Sequence, residues 1–106
     1  MSFGNIDPNL FKQAQSVQRN LAKLREEMKD RVVDASVGGG LVTAFCNGNG
    51  ELVKLSIQPD AVDPDDLGML EDLIVAAVQK SLEASQELQQ KEISKVTGGL
   101  SLPGLF

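Results

Sequence analysis

The sequence predicts an α+β fold in which a three-stranded antiparallel sheet is flanked by two long helices. Helical apolar patterns lie at both ends of the chain, over 8–30 and 64–97. Between them, runs rich in Val, Leu, Ile and Phe at 32–37, 41–47 and 51–57 are separated by Gly and Asn. Consecutive strands joined by short turns pair most simply as an antiparallel meander. The element order is therefore α-β-β-β-α.

Composition limits the kinds of function that the chain can have. The 106 residues include no His, Trp or Tyr and a single Cys. Without His, the commonest general base and metal ligand are missing, and one Cys excludes an intrachain disulfide. We therefore expect a single domain over 1–106 that is not an enzyme and has no cofactor, metal or small-molecule substrate. The chain shows no signal peptide and no apolar run of membrane-spanning length, so we expect a cytoplasmic protein without a membrane partner.

The first predicted helix carries both a heptad seam and half of the basic residues of the chain. Asp7 followed by Pro8 is a helix start, because Asp caps free amide groups and Pro lacks the amide that would be unpaired there. Six basic residues stand against three acidic ones between 12 and 31, whereas the remainder has four against twelve. Apolar residues recur at alternating spacings of four and three, at Leu10, Ala14, Val17, Leu21, Leu24 and Met28.

Two Gly-rich segments separate the predicted strands. Residues 38–40 are all Gly and are interpreted as a turn, since a phosphate-binding loop would need Gly-Lys-Ser/Thr leading into a helix. Residues 47–50, Asn-Gly-Asn-Gly, are typical of a tight hairpin turn. Neither face of the second strand is strongly polar, so we expect both faces to be covered. Cys46 is interpreted as a buried thiol rather than a nucleophile. Alternation in the third strand predicts one face with Val53, Leu55 and Ile57 and another with Leu52, Lys54 and Ser56.

The second predicted helix begins at another Asp-Pro pair, Asp63 and Pro64, and ends before Gly98 and Gly99. It is broadly apolar at first and mostly polar from Glu83 onwards. The acidic residues near its start favour helix capping, because the spacing of an EF-hand calcium loop and its closing Glu are missing. They are Asp60, Asp63, Asp65 and Asp66.

A mismatch in length predicts that the protein is a dimer. The second helix would be on the order of 50 Å long, whereas strands of about seven residues span only ~23 Å. Roughly half of the helix must therefore extend beyond the sheet, where its apolar stripe needs a cover. A two-fold dimer would bury the remaining seam and the open face of the sheet. We expect an obligate homodimer with projecting helical arms.

Seven short motifs lie in order along nearly the whole chain. They are Lys-Gln-Ala-Gln at 12–15, Gly-Gly-Gly-Leu-Val at 38–42, Asn-Gly at 47–48, Ile-Gln-Pro at 57–59, Leu-Glu-Asp-Leu-Ile-Val-Ala-Ala at 70–77, Thr-Gly-Gly at 97–99 and Leu-Pro-Gly-Leu-Phe at 102–106. In these motifs and their spacing the chain resembles the YbaB/EbfC family of bacterial nucleoid-associated proteins. The resemblance implies an α-β-β-β-α subunit, a tweezer-shaped homodimer whose helical arms bind duplex DNA, and a cytoplasmic role at the nucleoid in chromosome organisation and gene regulation.

Five cations are candidate DNA contacts. Lys12, Arg19 and Lys23 fall on one stripe of the first helix, opposite the apolar seam. Cations within reach of phosphates would give salt-sensitive binding with weak sequence preference. The alternative is an ordinary solvated helix face. Lys91 and Lys95 are further candidates, although they also suit the negative end of the second helix.

The sequence leaves two functions open. The first is a non-enzymatic, dimeric DNA-binding protein that grips duplex phosphates between helical arms. The alternative is a protein–protein interaction module with little or no DNA binding, which the net charge of −5 favours. An enzyme is a distant third.

Overall fold

The structure, a computed structural model, describes residues 7–97. The strands form one antiparallel sheet in the order β1-β2-β3. The sequence of elements confirms the predicted α-β-β-β-α fold, and the predicted apolar tail, 98–106, lies outside the described residues. The elements are α1 (Pro8–Met28), β1 (Val32–Val37), β2 (Val42–Asn47), β3 (Leu52–Ile57), a 3-10 turn (Pro59–Ala61) and α2 (Leu67–Thr97).

The start of α1 is the one predicted. The Asp7 side chain accepts a hydrogen bond of 2.9 Å from the backbone N–H of Asn9, and Pro8 opens the helix. The helix ends at Met28, two residues before the predicted end. The Met28 carbonyl accepts the N–H groups of Arg31 and Gly48 at 3.2 and 2.9 Å, so the chain turns there into the sheet.

The start of α2 is three residues later than predicted. Asp63, the expected cap, accepts the N–H of Asp65 through its side chain and the N–H of Asp66 through its carbonyl. These bonds close a separate turn in front of the helix. The Asp66 side chain then accepts the N–H of Met69 at 3.3 Å, which makes Asp66 the cap. The acidic residues here therefore include helix-capping groups, in line with the sequence interpretation.

One face of the sheet packs against α2 and forms the core. Its centre is β2, where Val42, Ala44 and Cys46 are fully buried. The Cys46 thiol lies 3.0 Å from the Ser81 hydroxyl of α2, which donates in turn to the Val78 carbonyl. The expectation of a buried structural thiol is therefore met. The expectation that β2 is covered on both faces is not met within one subunit, because no described helix packs on its other face.

A β-bulge changes the alternation predicted for β3. Phe45 pairs with Lys54, but the next residue of β2, Cys46, pairs with Leu52. Val53 is the additional residue, so the strict period of two stops there. Leu52 therefore does not share the face of Lys54 and Ser56, as simple alternation predicted.

The 47–50 hairpin loop joins the sheet to α1. Gly50 donates to the Asn47 carbonyl at 3.1 Å and has a φ of 80°, a conformation that Gly adopts without strain. The Asn47 side chain accepts the N–H groups of Asn49 and Glu51 at 3.0 and 3.1 Å. Gly48 lies directly against the end of α1, where an added Cβ would come within 2.6 Å of the Met28 Cε and 3.0 Å of its carbonyl oxygen.

We expect Gly48→Ala to lower the free energy of unfolding by about 2 kcal/mol, because the new methyl group overpacks this contact and the Met28 carbonyl is backbone. Urea denaturation at fixed protein concentration measures the change. Gly68→Ala is the matched control, since nothing lies closer to its added Cβ than the Asp66 side chain at 3.9 Å. Equal losses in both variants would show that the Gly48 contact is not tight.

The helices extend well beyond the sheet. The Ser85 hydroxyl of α2 donates to the Asn47 carbonyl at the hairpin end, so the remaining α2 residues lie past the last strand residue. There α2 runs antiparallel to α1, which packs along α2 and not on the sheet. We call α1 together with residues 86–97 of α2 the arm. The subunit is accordingly elongated, at 69 × 26 × 18 Å.

Within residues 7–97, neither helix contains an apolar stretch that would cross a membrane.

Candidate nucleic-acid interface

The three candidate cations of α1 lie together on the arm. Lys12, Arg19 and Lys23 are exposed and stand seven and four residues apart, which places them on one side of the helix within about 16 Å. None of them has an ion-pair partner among the described residues. Glu26, a possible partner of Lys23, binds Lys29 instead at 2.8 Å. The stripe is therefore an unneutralised set of charges on a projecting helix.

Of the two candidate cations of α2, one is ion-paired among the described residues and the other is not. Both Lys91 and Lys95 are exposed on the part of α2 that belongs to the arm. Lys91 has no ion pair within the described part of the chain. The Lys95 ammonium, in contrast, donates to the Glu92 carboxylate at 3.0 Å. Lys95 is thus partly neutralised, and a phosphate would have to compete with Glu92 for it.

Glu92 also holds a cation that the sequence pattern did not single out. Arg31, just before β1, places its Nη1 atom 3.2 Å from the same Glu92 oxygen. The hydrogen bond from Lys95, followed by the one from Arg31, lowers the pKa of Glu92 below its ordinary value of 4.5. Since the pKa of Glu92 is lower in the folded chain than its ordinary value, its two ion pairs stabilise the fold above a pH of about 4.5. This stabilisation is lost as the pH falls through the lowered pKa. The Lys95 pair has a visible spacing of three residues, whereas nothing in the sequence links Arg31 to Glu92.

We expect Glu92→Gln to strengthen duplex DNA binding by about threefold at ~50 mM salt, because it removes one anion from the arm and frees Lys95 for phosphate. Fluorescence anisotropy with a short labelled duplex measures the change. Glu71→Gln makes the same change of net charge at the other end of α2 and serves as the control. An unchanged affinity in Glu92→Gln would remove Lys95 from the interface.

The opposite end of the molecule is acidic. From Leu55 to Gln79 the chain has no Lys or Arg. This segment packs at the end of the sheet away from the arm, because Leu73 lies beside Gly38 whereas Ser85 lies beside Asn47. The negative net charge therefore does not describe the arm. The segment's acidic residues are Asp60, Asp63, Asp65, Asp66, Glu71 and Asp72.

The other candidate sites of the sequence have structural explanations. Residues 38–40 form the β1–β2 turn, with the Gly40 N–H donating to the Val37 carbonyl. Within residues 7–97, no three side chains of the metal-ligating types come together.

The face of the sheet away from α2 is open in the subunit. Cross-strand pairs place Ser36 beside Thr43, with their hydroxyl oxygens 2.7 Å apart. The Lys54 ammonium lies over the Phe45 ring, 5.4 Å from its centroid. At the edge, Val32 is exposed. We call this surface the open face; its residues are Val32, Asp34, Ser36, Thr43, Phe45, Lys54 and Ser56.

Comparison with known proteins identifies the relatives of this chain. Residues 4–100 match the model of the YbaB/EbfC DNA-binding family. A nucleoid-associated protein of Acetivibrio thermocellus is 50% identical over 104 residues, which cover 97% of this chain and 91% of the relative. A nucleoid-associated protein of Desulforamulus reducens is 45% identical over 106 residues and matches both chains in full.

A solved structure has the same fold. The uncharacterized protein HP0035 from Helicobacter pylori superposes with a TM-score of 0.75, over 89% of this chain and 100% of that one. Sequence identity is 24%. This likeness supports the fold and carries no functional conclusion.

Proposed function

The chain belongs to the YbaB/EbfC DNA-binding family, and from that premise we propose that it binds duplex DNA as a homodimer through its two arms. It is a nucleoid-associated protein and not an enzyme. We further propose that it works in the cytoplasm, at the nucleoid, in chromosome organisation and gene regulation. The observation that carries the binding mode is the stripe of Lys12, Arg19 and Lys23, exposed and without ion pairs to the described residues on a projecting helix.

The stripe suits phosphates better than bases. Lys and Arg on one side of a straight helix can follow a row of phosphate oxygens, and such contacts carry no sequence information. We therefore propose that DNA of differing sequence binds with similar affinity. Lys91 adds a further cation to the arm, and Lys95 contributes once it is released from Glu92.

The open face is the proposed dimer interface. Phe45 lies at its centre, and Val32 adds apolar surface that α2 does not cover. A two-fold axis through this face would bury both copies of Phe45 and leave α2 of each subunit on the outside. Each subunit contributes one arm, so the dimer would have two. Two arms double the number of cations available to a single duplex and give the assembly a tweezer shape.

Titration of a mixed-sequence duplex at ~50 mM salt tests the proposed function, because phosphate contacts are strongest at low salt. Saturable binding supports it. The alternative, a protein–protein interaction module, is favoured by the acidic segment 55–79, and an absence of binding at that salt concentration would select it.

A further inference from the structure

The apolar seam of α1 is covered at one end only. Leu21, Leu24 and Met28 are buried against α2, whereas Leu10 is 61% exposed and Phe11 54%. Leu10 continues the covered seam at the same spacing of four and three residues through Ala14 and Val17. The covered and open parts are therefore one helix face. We call its open part the arm stripe; it consists of Leu10 and Ala14, with Phe11 on its flank and the half-buried Val17 at its inner end.

Within the described residues, α2 covers only part of α1. Ser85 of α2 and Met28 of α1 lie at the same level, because one donates to the carbonyl and the other accepts the N–H of the peptide group between residues 47 and 48. Thr97, the last described residue, is twelve residues past Ser85, or about 18 Å along the antiparallel helix. That distance brings α2 to the level of Val17, which is half-buried. From Val17 to Leu10 the apolar seam continues for another ~10 Å.

We propose that the C-terminal tail, residues 98–106 of the same chain, docks on the arm stripe and completes the arm. The tail leaves α2 at the point where cover is needed. Nine residues reach about 30 Å when extended, which exceeds the ~10 Å to Leu10. The tail carries no charged side chain, and five of its residues are apolar: Leu100, Leu102, Pro103, Leu105 and Phe106.

The position and chemistry of the arm stripe favour the tail of the same chain over a second molecule. Attachment to α2 gives the tail an effective concentration of order mM at the arm stripe, which a separate dimer would not reach at micromolar protein. The arm stripe is also on the side of α1 opposite to Lys12 and Arg19. Docking of the tail would therefore leave the cations exposed while it holds the first turns of α1 in helix. Such docking does not require DNA binding.

A fluorescent reporter tests the docking in the full chain. The protein has no Trp or Tyr, so Phe11→Trp introduces a single Trp fluorophore at the arm stripe. We expect a blue-shifted emission that acrylamide quenches weakly. Adding Leu102→Asp and Leu105→Asp should shift the emission to the red and raise the quenching constant several-fold. The matched control adds the same two charges at Ser101→Asp and Gly104→Asp and should leave both values nearly unchanged.

Cysteine pairs decide which chain supplies the tail. In a Cys46→Ala background, Ala14→Cys is combined in turn with Leu100→Cys, Leu102→Cys or Leu105→Cys. Ser81 keeps its bond to the Val78 carbonyl in this background, so loss of the thiol leaves no buried hydroxyl unpaired at that position. We expect mild oxidation to give an intrachain disulfide in at least one pair, without a covalent dimer.

Several results would overturn the proposal. In the fluorescence test, these are a Trp that acrylamide quenches freely in the parent reporter chain, weak quenching that survives the Leu-to-Asp changes, and quenching that weakens as protein concentration rises. In the cysteine test, they are disulfides that form only between chains or in none of the three pairs. Protection that depends on concentration would point to α1 of a second copy.

Discussion

The double substitution Lys12→Glu with Arg19→Glu is expected to weaken duplex DNA binding by at least about 100-fold at ~50 mM salt. Each change removes a cation that has no partner among the described residues and places an anion where a phosphate would lie. The dimer carries both changes on each of two arms. Because phosphate contacts carry no sequence information, the loss should be the same for unrelated duplexes. Fluorescence anisotropy with two such duplexes measures it.

A second pair of variants distinguishes the position of a cation on α1 from the net charge of the protein. Arg19→Glu and Lys80→Glu change the charge by the same amount, but Lys80 lies on α2 at the level of the sheet, next to the buried Ser81. We expect the Arg19 variant to lose about tenfold in affinity and the Lys80 variant much less. Equal losses would mean that the overall field of the protein, and not the α1 stripe, attracts DNA. Full affinity in the double variant would contradict the assignment of the stripe.

Phe45→Asp is expected to convert the dimer into a monomer of 11.3 kDa at micromolar concentration. The new carboxylate would stand between Asp34 of β1 and Lys54 of β3, the two residues paired with position 45. Lys54 can pair with only one of these two carboxylates, and both are repeated in the symmetry copy. Burying this excess of negative charge in place of an apolar ring costs several kcal/mol, so we expect the dimer dissociation constant to rise by at least about 1,000-fold. Analytical ultracentrifugation measures the mass directly.

The control for this variant is Val75→Asp, which introduces the same charge at an exposed apolar position on α2. We expect it to remain dimeric. Far-UV circular dichroism of both variants should match the parent, because Phe45 is only partly buried in the subunit and Val75 is exposed. A Phe45→Asp protein that keeps the mass of a dimer would place the interface elsewhere. A parent chain that is monomeric at micromolar concentration would remove the dimer altogether.

The fold was largely predictable because its signals are local. The Asp7–Pro8 start of α1, the Asn-Gly hairpin and the change from helical to strand periodicity each involve neighbouring residues. The differences arise where local signals compete. Asp63 and Asp66 are both acceptable helix caps, and only the backbone turn at 63–66 decides between them. The bulge at Val53 has no local mark, since it depends on how β3 pairs with the end of β2.

The candidate interface was less predictable because exposure and pairing depend on distant parts of the chain. Helical periodicity placed Lys12, Arg19 and Lys23 on one stripe, and this needs only α1. The competition between Glu92 and phosphate for Lys95 depends partly on Arg31, which the fold brings to Glu92 from a distant part of the chain. The length ratio of helix to strand, in contrast, predicted overhanging helices and an open sheet face within the subunit, and the structure has both.

The central claim, that paired arms bind the phosphates of duplex DNA, is tested most directly by the salt dependence of affinity. If all three stripe cations on both arms contact phosphates, the plot of log K against log salt concentration should have a slope of about −5 between roughly 50 and 200 mM. Duplexes of unrelated sequence should give the same slope. An affinity that does not change over this range, or a slope that the Lys12→Glu with Arg19→Glu variant retains, would contradict the account.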